Sequence, residues 1–237
     1  MIWESVIVFW KTNKKVEAAS HFVRDYQLYV RKLFSNQPAD KAAALAVGGG
    51  NFEAVGSMML AVLLEAGLRK DSSIIDFGCG GGRLAQPLAH YSSSLNYLGT
   101  DVASELLEYA AANAPDNFSF RQHTELNFPA ADESVDFIVA FSVLTHLLHE
   151  ESYTYLLDAK RVLKSGGRFV FSFLESEKHW GIFQAMLTRR WLTQKPHLNM
   201  FIERSTIEIW AKHSGLAIVG YDIGPDIGQS VVVLEKN

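Results

Sequence analysis

The sequence predicts a doubly wound α/β domain, and three observations carry that expectation. Segments rich in β-branched and aromatic residues alternate with segments of helical spacing. A glycine-rich turn over 78–82 follows the first strand-like segment. The run over 135–141 is apolar apart from Asp136, as suits a strand covered on both faces rather than one with a wet side. The expected organisation is an N-terminal helical cap over 1–70 and the α/β domain over 71–237.

In chain order, the region 16–34 places Phe22, Val23, Tyr26, Tyr29, Val30 and Leu33 at helical spacing, with Arg24, Asp25, Arg31 and Lys32 on other faces. A short loop is expected around 37–40, and the glycines of 46–56 interrupt helical patterning there. The segment 57–68 has few polar residues and stops at Gly67, as a buried helix with a glycine cap would. Strands are then expected at Ile74 and Ile75, over 95–99, 118–122, 135–141 and 168–173, with helices from 83, from 104, over 151–163 and over 206–214. Two further strands, 216–224 and 228–236, surround the Pro225-Asp226 turn and bring the expected strands to seven.

A chain of 237 residues, 48% of them apolar, can bury a substantial core. Its formal charge of −4 supplies no general attraction to nucleic acid or to an anionic membrane surface. The apolar run over 6–10 is too short for a secretory core or a span, so a soluble, cytoplasmic protein without a membrane partner is expected. Cys79 is the only cysteine, which excludes an intrachain disulfide and a multi-cysteine metal site, and no metal is expected. With no basic neighbour in sequence, it suits a small turn filler better than a nucleophile. Homo-oligomerisation is left open.

The chemistry concentrates at 74–85. Glycines after a strand let a ligand approach main-chain N–H groups that a Cβ would screen. Asp76, just ahead of them, would repel a pyrophosphate and hold an ammonium or ribose hydroxyls. Gly80-x-Gly82-x-x-Ala85 also satisfies a looser dinucleotide fingerprint, so a nicotinamide-dependent oxidoreductase stays open, whereas the absence of Gly-Lys-Ser/Thr removes the P-loop. Asp101 follows the second strand at a separation suited to a ribose-binding acid. Its alternative role is a helix N-cap, for which Ser104 is better placed.

Asp76-x-Gly78-x-Gly80-x-Gly82 resembles the first motif of class I S-adenosylmethionine-dependent methyltransferases. Phe141-Ser142-Val143-Leu144-Thr145-His146 is similar to that family's fourth strand and following loop, and Leu163-Lys164-x-Gly166-Gly167 to its turn before the fifth. The resemblance covers 73–236. It implies a Rossmann-like seven-stranded sheet with an antiparallel C-terminal hairpin, S-adenosyl-L-methionine as cofactor, and methyl transfer to a small-molecule acceptor.

It further implies that Asp76, Gly78, Cys79, Gly80 and Gly82 hold the amino-acid end of the cofactor. Asp101 then takes the ribose, Val102 lies against the adenine, and Thr124 with Phe141 flanks the base. The acid that many relatives use for the adenine amine is here ambiguous between His123 and Glu125. The Asp/Asn-Pro-Pro-aromatic signature is missing, which argues against a nucleic-acid adenine as acceptor.

His146 is the candidate general base, set against a purely loop-ordering role. Tyr26 and Phe52 are candidate walls of the site, set against simple packing and a turn. Trp180, with Phe183, Trp191, Phe201, Lys178, Arg189, Arg190 and Lys195, belongs to a segment over 174–205 that suits a lid, a dimer surface or plain packing. A non-catalytic scaffold on the same fold is the remaining alternative.

Overall fold

The computed structural model describes residues 20–187 and 199–237. Helices α1 (Ser20–Asn36), α2 (Ala39–Ala46) and α3 (Phe52–Glu65) precede the sheet. There follow β1 (Ser73–Phe77), α4 (Ala85–Tyr91), β2 (Asn96–Asp101), α5 (Ser104–Ala112), β3 (Ser119–Gln122) and β4 (Val135–Ala140). A 3₁₀ turn (Leu144–His146), α6 (His149–Val162), β5 (Leu163–Phe173), α7 (Trp180–Met186), α8 (Arg204–Ser214), β6 (Leu216–Tyr221) and β7 (Ser230–Lys236) complete it.

The seven strands lie in the order β3-β2-β1-β4-β5-β7-β6. The first five are parallel, and β7 inserts antiparallel between β5 and β6. The chain reverses its direction of winding between β1 and β4, so the loops after these two strands diverge and leave a crevice at the carboxyl edge.

The continuous apolar run of β4 has the expected cause. Phe137 and Val139 join a cluster with Met59, Val62 and Leu63 of α3, Leu84 just before α4 and Leu88 within it. Ile138 and Ala140 join the opposite cluster with Leu156 and Ala159 of α6 and Ile207 of α8. Alternate side chains therefore both find cores, and burial of each large one stabilises the fold by roughly 1.5–3 kcal/mol.

Several sequence expectations need correction. The glycine-containing segment expected to be irregular through 56 is helical from Phe52, because the Asn51 side chain accepts the Ala54 N–H at 3.0 Å and starts α3 early. The loop expected at 37–40 instead launches α2, with Pro38 at its N-cap. The turn at 164–167 is an irregularity within β5, where the register against β4 slips between Val135 and Phe137. The helix expected to begin at 151 begins at His149, and the buried Glu151 caps it by accepting the Leu148 N–H at 2.8 Å.

α3 packs in the same core as the sheet. α1 and α2 pack elsewhere: Val30 and Ala43 meet Ala103 and Leu106 at the start of α5. Gln27 Nε2 donates to the Val102 carbonyl at 2.8 Å, and Arg31 pairs with Glu105 at 3.1 Å. This places the helix pair beside the loops that leave β1 and β2. No helix among the described residues is long and apolar enough to cross a membrane.

Candidate cofactor and acceptor site

The loop between β1 and α4 is tied down by its own neighbours. The Gly78 and Cys79 N–H groups both donate to the Thr100 carbonyl, at 2.8 and 2.9 Å. Gly80 N–H donates to Asp101 Oδ2 at 3.0 Å, and Gly82 N–H to the Cys79 carbonyl at 3.1 Å. This corrects the expectation that the glycines present these donors to a ligand, since the polypeptide already uses them. The glycines serve backbone shape and close approach. Gly78 and Gly80 have φ of +71° and +55°, and a Cβ on them would stand 2.4 Å from Val143 Cγ2 and 2.5 Å from Val47 Cγ1. Val143 comes from the loop after β4 and Val47 from the end of α2, so both pieces interlock with the turn.

Two buried carboxylates stand at this edge on neighbouring strands. Asp76 pairs in register with Gly99, two residues before Asp101. Tyr97 donates its hydroxyl to Asp76 Oδ2 at 2.7 Å. Burial pushes Asp76 up to about 7; the tyrosine hydrogen bond pulls it partly back and the nearby Asp101 charge adds to the rise. Asp101 is also raised by burial, to about 6, against the lowering effect of the Ala103, Gly80 and Val102 N–H groups. Among the described residues neither acid has a cationic partner.

Asp101 Oδ1 accepts the N–H of Ala103, the residue at the N-cap of α5, at 2.9 Å, while the cap itself has no side-chain hydrogen bond. Ser104, expected to suit that role better, instead donates to Glu105. Each Asp101 oxygen keeps a further lone pair, so bracing the loop and accepting hydroxyls are compatible.

Tyr26 comes from α1, and its hydroxyl donates to the Ala46 carbonyl at 3.3 Å. Its titration is raised by burial first and then by the charge of Asp101. Phe52 opens α3 beneath the Arg83 guanidinium, 5.1 Å from the ring centre, while Arg83 Nη2 donates to the Gly49 carbonyl at 2.9 Å. Sequence reasoning missed Tyr97 and Arg83, whose partners lie 21 and 34 residues away. The Cys79 thiol is buried against Gly99 and its titration is raised by desolvation, which disfavours the thiolate. Val102 offers its carbonyl to Gln27 and Gln122.

Thr124 is half-buried just past β3, and Phe141 is buried in the α3–α4 cluster past β4. Three strand spacings, ~14 Å, separate those two strands. His123 is buried with Nε2 on the Asn127 carbonyl at 2.7 Å, a loop-ordering contact. His146, half-buried, ends the 3₁₀ turn, and its N–H donates to the Val143 carbonyl at 2.9 Å. His149 is held by the Phe201 carbonyl and by the edge of Trp210. Among the described residues no group of three or more His, Cys, Asp or Glu is gathered as a metal would need.

At the carboxyl ends of β4 and β5, Met200 N–H donates to the Thr145 carbonyl at 2.7 Å and Phe201 pairs with Leu174. Phe201 meets the edge of Phe183, which stacks at 4.9 Å on Trp180, itself 51% exposed. Lys178 of that segment pairs with Asp222. The expected residues Arg189, Arg190, Trp191 and Lys195 lie outside the described residues.

Comparison with known proteins agrees with the fold. Residues 75–171 match the family model of a methyltransferase domain. A ubiquinone biosynthesis O-methyltransferase of Ruegeria sp. is 30% identical over 138 residues, 56% of this chain and 53% of the relative. One from Bartonella tribocorum is 26% identical over 152 residues, 62% and 60% of the two chains. The chain thus spans little more than half the length of the curated relatives it matches. The structure of magnesium protoporphyrin IX methyltransferase from Synechocystis, solved with bound S-adenosylhomocysteine, superposes with a TM-score of 0.62 at 17% identity, covering 87% of this chain and 92% of that one. A methyltransferase of Thermotoga maritima, described as a possible histamine N-methyltransferase, gives 0.60 at 17% identity over 92% and 100%.

Proposed function

We propose that the chain, whose residues 75–171 match a methyltransferase domain, is a class I S-adenosylmethionine-dependent methyltransferase that transfers the methyl group to a small-molecule acceptor. One observation carries this reading: the N–H groups of Gly78, Cys79, Gly80 and Gly82 are spent internally, while two buried acids without cations stand beside them. A diphosphate needs N–H donors and is repelled by buried carboxylates. A ligand carrying an ammonium and a vicinal diol fits the same groups. The nicotinamide-dependent alternative loses its physical basis at this loop.

Asp76 holds the ammonium side and Asp101 accepts the ribose hydroxyls through its remaining lone pairs. Val102 and Thr124 lie towards the base. Tyr26, on the helix beside Asp101, helps exclude water, and Phe52 is a wall held by Arg83. The cofactor supplies a methyl group already activated on its sulfonium, so the protein contributes position and a dry site. His146, at the carboxyl edge after β4, takes the proton when the acceptor is a hydroxyl, and Trp180 lines the acceptor side. The acceptor side of the reading draws on the O-methylating relatives and on the aromatic surface formed by Trp180, Phe183 and Phe201. The protein works in the cytoplasm in this reading. Calorimetry with S-adenosylhomocysteine and with NADH tests it: binding of the first alone is expected, and binding of NADH alone rejects it.

A further inference from the structure

Among the described residues, only Glu133, Ser142 and Asp222 are non-glycine residues with positive φ. Ser142, at +59°, is the one that stands on the crevice edge, immediately before Val143. A left-handed non-glycine residue persists only where its surroundings fix it. Here the fixing contact is visible. The Ser142 N–H donates to Ser172 Oγ at 2.7 Å, and the Ser172 hydroxyl donates to Gln229 Oε1 at 2.6 Å. Ser172 is wholly buried in β5, and its hydroxyl spends its one proton on Gln229 and accepts from Ser142. The relay thus runs from the residue before β7, through β5, to the turn after β4.

We propose that Ser172 and Gln229 are positioning residues for the cofactor loop, a role that rests on the function proposed above. By holding Ser142 left-handed they direct Val143 onto Gly78, where its Cγ2 occupies the space in which a side chain would stand. The turn after β4 then acts as a buttress for the turn after β1, although the two are more than sixty residues apart. Neither Ser172 nor Gln229 touches the cofactor in this scheme, and their effect passes through Val143.

Calorimetry with S-adenosylhomocysteine on purified wild type, Ser172→Ala, Ser142→Gly and the double variant tests the relay. Ser172→Ala is expected to weaken binding about tenfold, the size of one lost hydrogen bond. Glycine adopts the left-handed turn without the hydroxyl, so Ser172→Ala on the Ser142→Gly background is expected to cost markedly less. A simple loss of stability would lower the melting temperature in both backgrounds equally and would not produce that recovery. Gln229→Ala, at a half-buried position, provides the same comparison if Ser172→Ala does not fold. Equal losses of affinity in both backgrounds, or unchanged affinity, overturn the buttress while leaving the cofactor reading standing. A wild-type protein that ignores S-adenosylhomocysteine overturns both.

Discussion

The two edges of the central sheet treat their aspartates in opposite ways. At the amino edge, Asp136 of β4 accepts from the Ser73 N–H at 2.9 Å, the Ser73 hydroxyl at 2.7 Å and the Lys164 ammonium at 2.9 Å. Its carboxyl is held below the ordinary range: burial raises it, but those donors and the Lys164 charge more than offset the rise. At the carboxyl edge, Asp76 and Asp101 are more deeply buried, lack any cation among the described residues, and are raised to about 7 and about 6. A compensated acid fastens two strands together. An uncompensated pair is a cost to the free protein that a cationic ligand would remove, which is the basis for the site proposed at this edge.

Breaking the carboxyl-edge pair gives the largest expected effect. Asp101→Ala should abolish S-adenosylhomocysteine binding in calorimetry, a loss beyond about 100-fold, because it removes the ribose acceptor and the brace on Gly80 together. Circular dichroism should still report the folded domain. Asp101→Asn, which keeps one acceptor oxygen, should lose less; unchanged affinity in both variants would reject the assignment.

Asp76→Asn should weaken the same binding by roughly tenfold or more, through loss of one charge-assisted contact. It should also flatten the pH dependence of stability. Both acids have folded pKa values above the ordinary carboxylate value, so the folded protein binds more protons than the unfolded chain between about pH 4 and 7. Their contribution to stability is greatest at the acid end of that window and is lost as pH rises through 6 and 7. The ligand-free protein should melt progressively lower over this range in the carboxyl-edge contribution, measured as wild type minus Asp76→Asn. Saturating S-adenosylhomocysteine should reduce the difference.

The amino edge gives the contrasting and smaller result. Asp136→Asn should lower stability in urea titration by about 1–2 kcal/mol, the size of weakened hydrogen bonds to a charged group. It should leave S-adenosylhomocysteine affinity within about twofold, being at the other end of the sheet. Because its pKa is depressed, Asp136 contributes above the ordinary carboxylate range, and that contribution is lost as pH falls through its folded value. A large change in ligand affinity for this variant would erase the distinction between the edges.

Much of the fold was legible because its signals are local. β4 showed as a strand from the seven neighbouring residues 135–141, six of which it contains, and α8 ends before Gly215 as its sequence suggests. That Asp76 and Asp101 stand near the carboxyl ends of the first two strands followed from counting, although β2 runs on through Asp101 instead of stopping at Gly99. The partners of those residues were not legible. Tyr97 and Asp76 meet because β2 lies beside β1, and no periodicity in either segment announces a hydrogen bond between them. The start of α3 at Phe52 was hidden by the glycine signal just ahead of it, which the Asn51 cap overrides.

What the sequence determined by itself is the succession of seven strands with the helices that follow β1, β2 and β4, the flexible turn after β1 and the two acids near it, because each depends on residues within one or two turns of chain. Tertiary structure alone decided that the glycine-loop N–H groups point inward to Thr100 and Asp101, that α2 rests on Gly80, and that Ser172 reaches Ser142. Those outcomes depend on which strands become neighbours, and a hydrogen-bond donor has the same appearance in sequence whether a ligand or the protein itself receives it.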